Sequence, residues 1–215
     1  MVKVLALPER QKIEICAVLA HAVAGMHQAG LIHGDIKLDN VIFCSNASGR
    51  IGAKMIDLDS CFWAARPPEK EEEIIGDQIY MAPETFLLME QEEGTLTCKI
   101  DIFALGLLFH QIMTGLLPGF EDSCHYPYEA LLKQEELKVS DRLDPRLQNI
   151  FLEMLQREPE KRPDADQVGE RLRKLCRRRR STAETGEIPL ASEAVLADKK
   201  RSVDEFFFRA GEDDL

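Results

Sequence analysis

Helices with a few short β-hairpin elements, a mainly α (α+β) fold, are what the patterning of this chain predicts. Three stretches carry that prediction. After Pro8 and Glu9, the residues Ile13, Ala17, Leu19, Ala20, Val23 and Met26 recur at helical spacing until Gly30. Lys99 to Thr114 is apolar almost throughout and is stopped by Gly115 and Pro118. Only Val41 to Phe43 and Ile51 to Ile56 read as strands, and SNASGR between them has hairpin chemistry.

In chain order, Pro8 pre-sets the backbone for a helix start and Glu9 suits its positive first turn. Asp57 to Tyr80 reads as a long irregular stretch with Pro67, Pro68 and the charge run EKEEE. Loops of that length inside a domain are usually functional or disordered. Helical character resumes at Met81 and is interrupted near Glu92 to Thr97. Amphipathic helices are expected at about Tyr128 to Glu136, Arg146 to Arg157 and Asp164 to Cys176. Composition shifts after Leu175. Residues 1–176 are expected to form the domain. Residues 177–215 are expected to be a basic run and a flexible acidic tail. FFF at Phe206 to Phe208 is the tail's one apolar cluster.

The chain's 215 residues and 45% hydrophobic content suit one domain with a tail and a real core. A formal net charge of −11 disfavours nucleic acid and anionic membrane as partners. The six cysteines form no CxxC pair, so zinc and a disulfide framework are not expected and reduced thiols in a cytoplasmic protein are. The N-terminus has no signal-peptide pattern, and Ile100 to Leu117 is too short and too polar at its ends for a membrane span.

One loop concentrates chemistry. LIHGDIKLDNVIF, Leu31 to Phe43, places His33, Asp35, Lys37 and Asn40 between two apolar runs. An aspartate with an asparagine five residues on, ahead of a strand, is a phosphoryl-transfer arrangement. The acid accepts the proton of an attacking hydroxyl, the amide oxygen ligates a metal, and the lysine neutralises charge on the phosphate. A second aspartate must then hold magnesium after the next strand, and Asp57 in KMIDLDS stands there.

These segments resemble the C-terminal lobe of a protein kinase. HGDIKLDN is similar to the family's H-R-D-L-K-x-x-N loop, and DLD to its D-F-G. GDQIYMAPE (Gly76 to Glu84) resembles the segment ending in A-P-E. DIFALG (Asp101 to Gly106) resembles D-x-W-x-x-G, and REPEKRP (Arg157 to Pro163) resembles the family's late arginine-proline. The matches cover roughly Pro8 to Leu175. The resemblance implies a eukaryotic-type Ser/Thr protein kinase that uses ATP and Mg2+ on a protein substrate. It implies Asp35 as base, Lys37 on the transferred phosphate, and Asn40 and Asp57 on magnesium. It further implies that Asp101 bonds amides of the catalytic loop and that Glu84 pairs with Arg162.

Several departures from the family pattern set further expectations. No Gly-rich loop, strand lysine or acidic helix precedes the loop, which leaves three expectations open: a truncated start, an N-lobe supplied by a partner that could also regulate the chain, or a domain that no longer catalyses. Without an N-lobe an apolar surface would stand exposed and invite association. Gly34 replaces the arginine that reads a phosphorylated activation loop. The loop from Asp57 to Glu84 offers only Ser60 and Tyr80 as hydroxyls, and Asp77 replaces the usual threonine. Activity independent of phosphorylation in that loop is the expectation. Asp59 replaces a glycine whose backbone freedom an aspartate only partly shares. Two other readings compete: a kinase-like binding module or scaffold without phosphotransfer, and a small-molecule phosphotransferase of the aminoglycoside or choline kinase type.

Overall fold

The computed structural model describes residues 2–45, 51–68, 74, 76–90 and 95–183. SNASGR after Ser45, the EKEEE run and FFF lie outside the described residues. Seven helices are described: α1 (Val2–Leu5), α2 (Glu9–Gln28), α3 (Pro83–Met89), α4 (Lys99–Thr114), α5 (Pro127–Leu132), α6 (Pro145–Met154) and α7 (Ala165–Ala183). The described strands are β1 (Leu31–Ile32), β2 (Val41–Ser45), β3 (Ile51–Met55) and β4 (Phe62–Trp63). No described helix is long and apolar enough to cross a membrane.

Helix α4 is the axis. Ile102, Phe103, Leu105, Leu107, Leu108, Phe109 and Ile112 are all fully buried, so the helix is covered all round. A helix that is apolar on every side belongs in a core. Helices α2 and α6 pack against it. Gly106 allows α6 to come close, because a Cβ there would stand 3.0 Å from Leu155 Cδ2. Gly115 ends α4 at φ +87° and donates its N–H to Gln111 O at 2.8 Å.

Helix α2 runs as its periodicity predicts, with Ile13, Cys16, Leu19, Ala20 and Val23 buried. The β2–β3 hairpin lies across it. Its antiparallel register pairs Val41 with Met55 and Ser45 with Ile51. Helix α6 opens on Pro145, and Asp144 Oδ1 accepts the Arg146 N–H at 2.9 Å.

The structure amends several expectations. The stretch after Asp57 is not wholly irregular, because Phe62–Trp63 pairs antiparallel with Ile32 and Leu31. Two-residue strands carry too little period-2 pattern to be read from sequence. Helix α5 stops short of Glu136, because Gln134 takes φ +65° and Glu135 N–H turns back to Ala130 O at 2.9 Å. Helix α7 runs past Cys176 through Arg177–Arg180 to Ala183. Arginine is a good helix former, and cations suit a helix C-terminus.

Candidate active site

The loop between β1 and β2 is fixed from below by one carboxylate. Asp101, in the first turn of α4 and 1% exposed, accepts the His33 N–H at 2.9 Å and the Gly34 N–H at 3.0 Å. His27, in the last turn of α2, donates its Nε2–H to the same carboxylate at 2.8 Å. Two helices thus hold one turn of backbone. Gly34 sits at φ +77° in that turn, and a Cβ there would stand 2.6 Å from Ser60 O. No arginine side chain fits at this backbone position without moving Ser60.

Asp35, 7% exposed, is the next residue and the centre of the site. Its Oδ2 lies 2.7 Å from Lys37 Nζ and accepts from Asn40 Nδ2 at 2.9 Å. Its Oδ1 accepts the Asp77 N–H at 3.1 Å. Asn40 Nδ2 also donates to the Asp35 carbonyl at 2.9 Å. Both amide hydrogens of Asn40 are therefore committed to Asp35, which turns its Oδ1 to the other side. The Asp35 carboxylate bonded to it holds the Lys37 ammonium above its ordinary range, and Asp77 and Asp57 add to the effect.

Asp57 joins the site through the hairpin. The Ile56 N–H donates to Asn40 O at 2.9 Å, which carries the ladder one residue past Met55, so Asp57 directly follows the residue opposite Asn40. Asp57 is exposed and sits at φ +64°. The left-handed backbone thus falls at Asp57. Aspartate tolerates that region better than most residues.

The donors on this side are oxygens only: the Asn40 amide and the Asp57 carboxylate. Among the described residues no three His, Cys, Asp or Glu side chains gather to hold a metal by themselves. Such a set fits magnesium, which binds through one or two protein oxygens and keeps waters and phosphate oxygens. A narrow cleft opens beside Asp35, lined by Gly34, Gly76, Asp77, Thr85 and Asp101.

Glu84 and Arg162 hold the far wall. The fully buried guanidinium makes two bonds to Glu84, at 2.5 and 2.8 Å. It also lies 5.0 Å over the Phe103 ring.

The profile of the family described as "Protein kinase domain" matches residues 2–171. This chain belongs to the protein kinase family. Members of that family use ATP and Mg2+ and act on proteins. The Drosophila melanogaster serine/threonine-protein kinase PAK mbt is 27% identical over 167 residues, 75% of this chain and 24% of that protein. The rat (Rattus norvegicus) serine/threonine-protein kinase PAK 5 is 29% identical over 170 residues, 74% of this chain and 21% of that protein. An Aurora kinase of Schizosaccharomyces pombe is 28% identical over 152 residues, 70% of this chain and 39% of that protein. The chain thus spans about a fifth to two-fifths of these relatives.

Of the residues the kinase motifs singled out, the structure joins Lys37 and Asn40 to Asp35 and Glu84 to Arg162, sets Asp101 under the loop, and leaves Asp57 exposed beside the hairpin. Two contacts had no sequence signal, and His33, which the motif marks, takes a role that the motif does not state. The Asp77 N–H on Asp35 is a backbone contact and independent of side-chain identity. His27 reads as one more polar residue at a helix end. His33, 0% exposed, accepts the Asp35 N–H at Nδ1 over 3.4 Å, so its Nε2 carries a hydrogen. That nitrogen has no partner among the described residues.

Proposed function

We propose that this chain is the C-terminal lobe of a Ser/Thr protein kinase that transfers the ATP γ-phosphate to protein hydroxyls. Residues 1–176 form the lobe in this reading, and residues 177–215 are a tail. Asp35 accepts the proton of the substrate hydroxyl. Lys37 carries positive charge to the transferred phosphate, and its pairing with Asp35 keeps both groups in register. Asn40 and Asp57 hold the metal through their oxygens. Magnesium bound there would neutralise charge on the phosphates.

The convergence of Lys37 and Asn40 on the one carboxylate of Asp35 carries this reading. A solvated turn has no need of a 7%-exposed aspartate with three donors around it. Exposed apolar residues support the need for a covering body. Ile42, Ile56 and Leu58, close in sequence to Asn40 and Asp57, are 49%, 36% and 38% exposed. We infer that the nucleotide is covered by an N-lobe from outside these residues.

A second reading also has an observation behind it. Both Asp35 oxygens are occupied, Oδ1 by the Asp77 N–H and Oδ2 by Lys37 and Asn40. A binding module that keeps this loop as a scaffold would look the same. The discriminating experiment purifies the protein that carries this chain, with whatever binds it, and supplies labelled Mg-ATP. Protein, sugar and aminoglycoside acceptors are offered side by side. Label on protein Ser/Thr supports the kinase reading, label on a small molecule replaces the substrate class, and binding without transfer favours the scaffold.

A further inference from the structure

Away from the site, two reactive side chains stand in contact. The turn at 121–124 precedes α5, and its Cys124 is 6% exposed. Lys133, directly after α5, folds back along the helix. Its Nζ lies 3.3 Å from both Ser123 O and Cys124 Sγ. Glu135 brings Oε2 to 3.9 Å from the same sulfur, because Gln134 reverses the chain at φ +65°. One sulfur is thus flanked by an amine and a carboxylate from the far end of the helix that the turn precedes.

We propose that Cys124 and Lys133 are a site of oxidative modification, at which peroxide drives a covalent sulfur–nitrogen bond between them. Hydrogen peroxide first oxidises the thiol to sulfenic acid. The sulfur gives up two electrons and the peroxide is reduced, releasing one water. The neutral Lys133 amine then attacks that sulfur. The N–S bond forms, the S–O bond breaks, and the departing hydroxide takes the amine proton as a second water. The protein loses two hydrogens, and one peroxide becomes two waters. The ammonium sheds its proton to solvent first.

Three of the other described thiols are poorer candidates. Burial pushes the Cys16 thiol far above its usual range, and the Cys61 thiol is pushed up to about 12 by burial and by Asp101, Asp57 and Asp59. Burial raises Cys98 as well. It is the thiolate that reacts, so these react slowly. Cys44 is exposed and serves as an internal control for plain oxidation. Once formed, the bond would clamp the turn onto α5, which packs against the Glu84 helix α3.

Peptide mapping tests this on the whole chain. Trypsin cuts after Lys99 and then after Lys133, or after Lys138 where the Lys133 amine is bonded and no longer a tryptic site, so Cys124 and Lys133 share one peptide, and a glutamate-specific protease then cuts after Glu129 between them. After hydrogen peroxide, the two fragments are expected to stay joined, short by two hydrogens, and to part on treatment with dithiothreitol. The yield is expected to rise with pH, because the step consumes neutral amine. Lys133→Arg keeps the charge, and is expected to give Cys124 sulfenic acid that dimedone traps, with no joined fragments. Cys124 left unmodified in the native chain, or oxidised there without joining, overturns the proposal. So does an identical joined product in Lys133→Arg.

Discussion

Replacing Arg162 by methionine removes a cation whose five N–H groups are all in use. The Nε–H donates to Gln156 O at 2.7 Å. One terminal nitrogen donates to Glu84 Oε1 at 2.5 Å and Lys99 O at 2.9 Å. The other donates to Glu84 Oε2 at 2.8 Å and Arg157 O at 2.9 Å. Methionine matches the stem but leaves the Glu84 carboxylate, 14% exposed, without its partner. Stranding a buried charge costs roughly 3–5 kcal/mol. Domains have about 5–15 kcal/mol in total, so the variant loses a large share of its stability. Glu84→Leu strands the cation instead and costs a similar amount, about 3–5 kcal/mol. The double variant leaves no charge behind, so its loss falls below the sum of the singles by about 2 kcal/mol or more. Urea denaturation followed by far-UV circular dichroism measures all three, with equal slopes as the check on two-state unfolding. Single variants within about 1 kcal/mol of the native chain, or a strictly additive double, would refute this reasoning.

Gly30→Ala and Gly34→Ala form a matched pair. Both glycines lie near φ +80°, but a Cβ at Gly30 meets nothing within 4 Å while one at Gly34 meets Ser60 O at 2.6 Å. Denaturation curves are expected to show about 1–2 kcal/mol lost at Gly30 and roughly 1–3 kcal/mol more at Gly34; equal losses would remove the steric argument. His110 takes the Ser140 N–H at Nε2 over 3.0 Å and gives its Nδ1–H to Leu116 O at 2.7 Å, so it is neutral, and burial lowers its pKa from 6.5. The unfolded chain then binds the extra proton, so stability is intact above about pH 6.5 and falls as the pH drops below it, by up to about 1.4 kcal/mol per unit. His110→Gln is expected to flatten that slope, and an unchanged slope would assign the pH dependence elsewhere. Phosphatase treatment is expected to leave transfer activity unchanged, since Gly34 cannot read a phosphate; a phosphoserine at Ser60 that raises the rate would contradict it.

The helices were legible wherever burial imposed a period. Lys99–Thr114 is bounded by Gly115, and α2 follows the spacing of Ile13, Ala17, Leu19, Ala20, Val23 and Met26. Ends set by backbone turns were not legible. Gln134 at φ +65° shortens α5, and nothing in the composition near Gln134 announces it. The site was legible to the extent that side chains carry it, as with Asp35, Asn40 and Asp101. Contacts made by backbone amides, such as Asp77 on Asp35, leave no mark on residue identity. The left-handed backbone at Asp57 was not legible, because no glycine marks that position. The hairpin delivers the tight turn immediately after Ile56.

The role of Asp35 is the centre of this account, and its isosteric amide tests it most directly. Asp35→Asn keeps the shape and an acceptor for the Asp77 N–H, but cannot take a proton from a hydroxyl. Transfer of labelled γ-phosphate from Mg-ATP to a Ser/Thr protein is to be timed for the native protein and this variant, each purified with whatever binds it. A fall of about 10²–10⁴-fold in rate, with the far-UV spectrum unchanged, is the predicted result. Equal rates in the two proteins, or no transfer by the native one while it still binds Mg-ATP, would contradict the assignment.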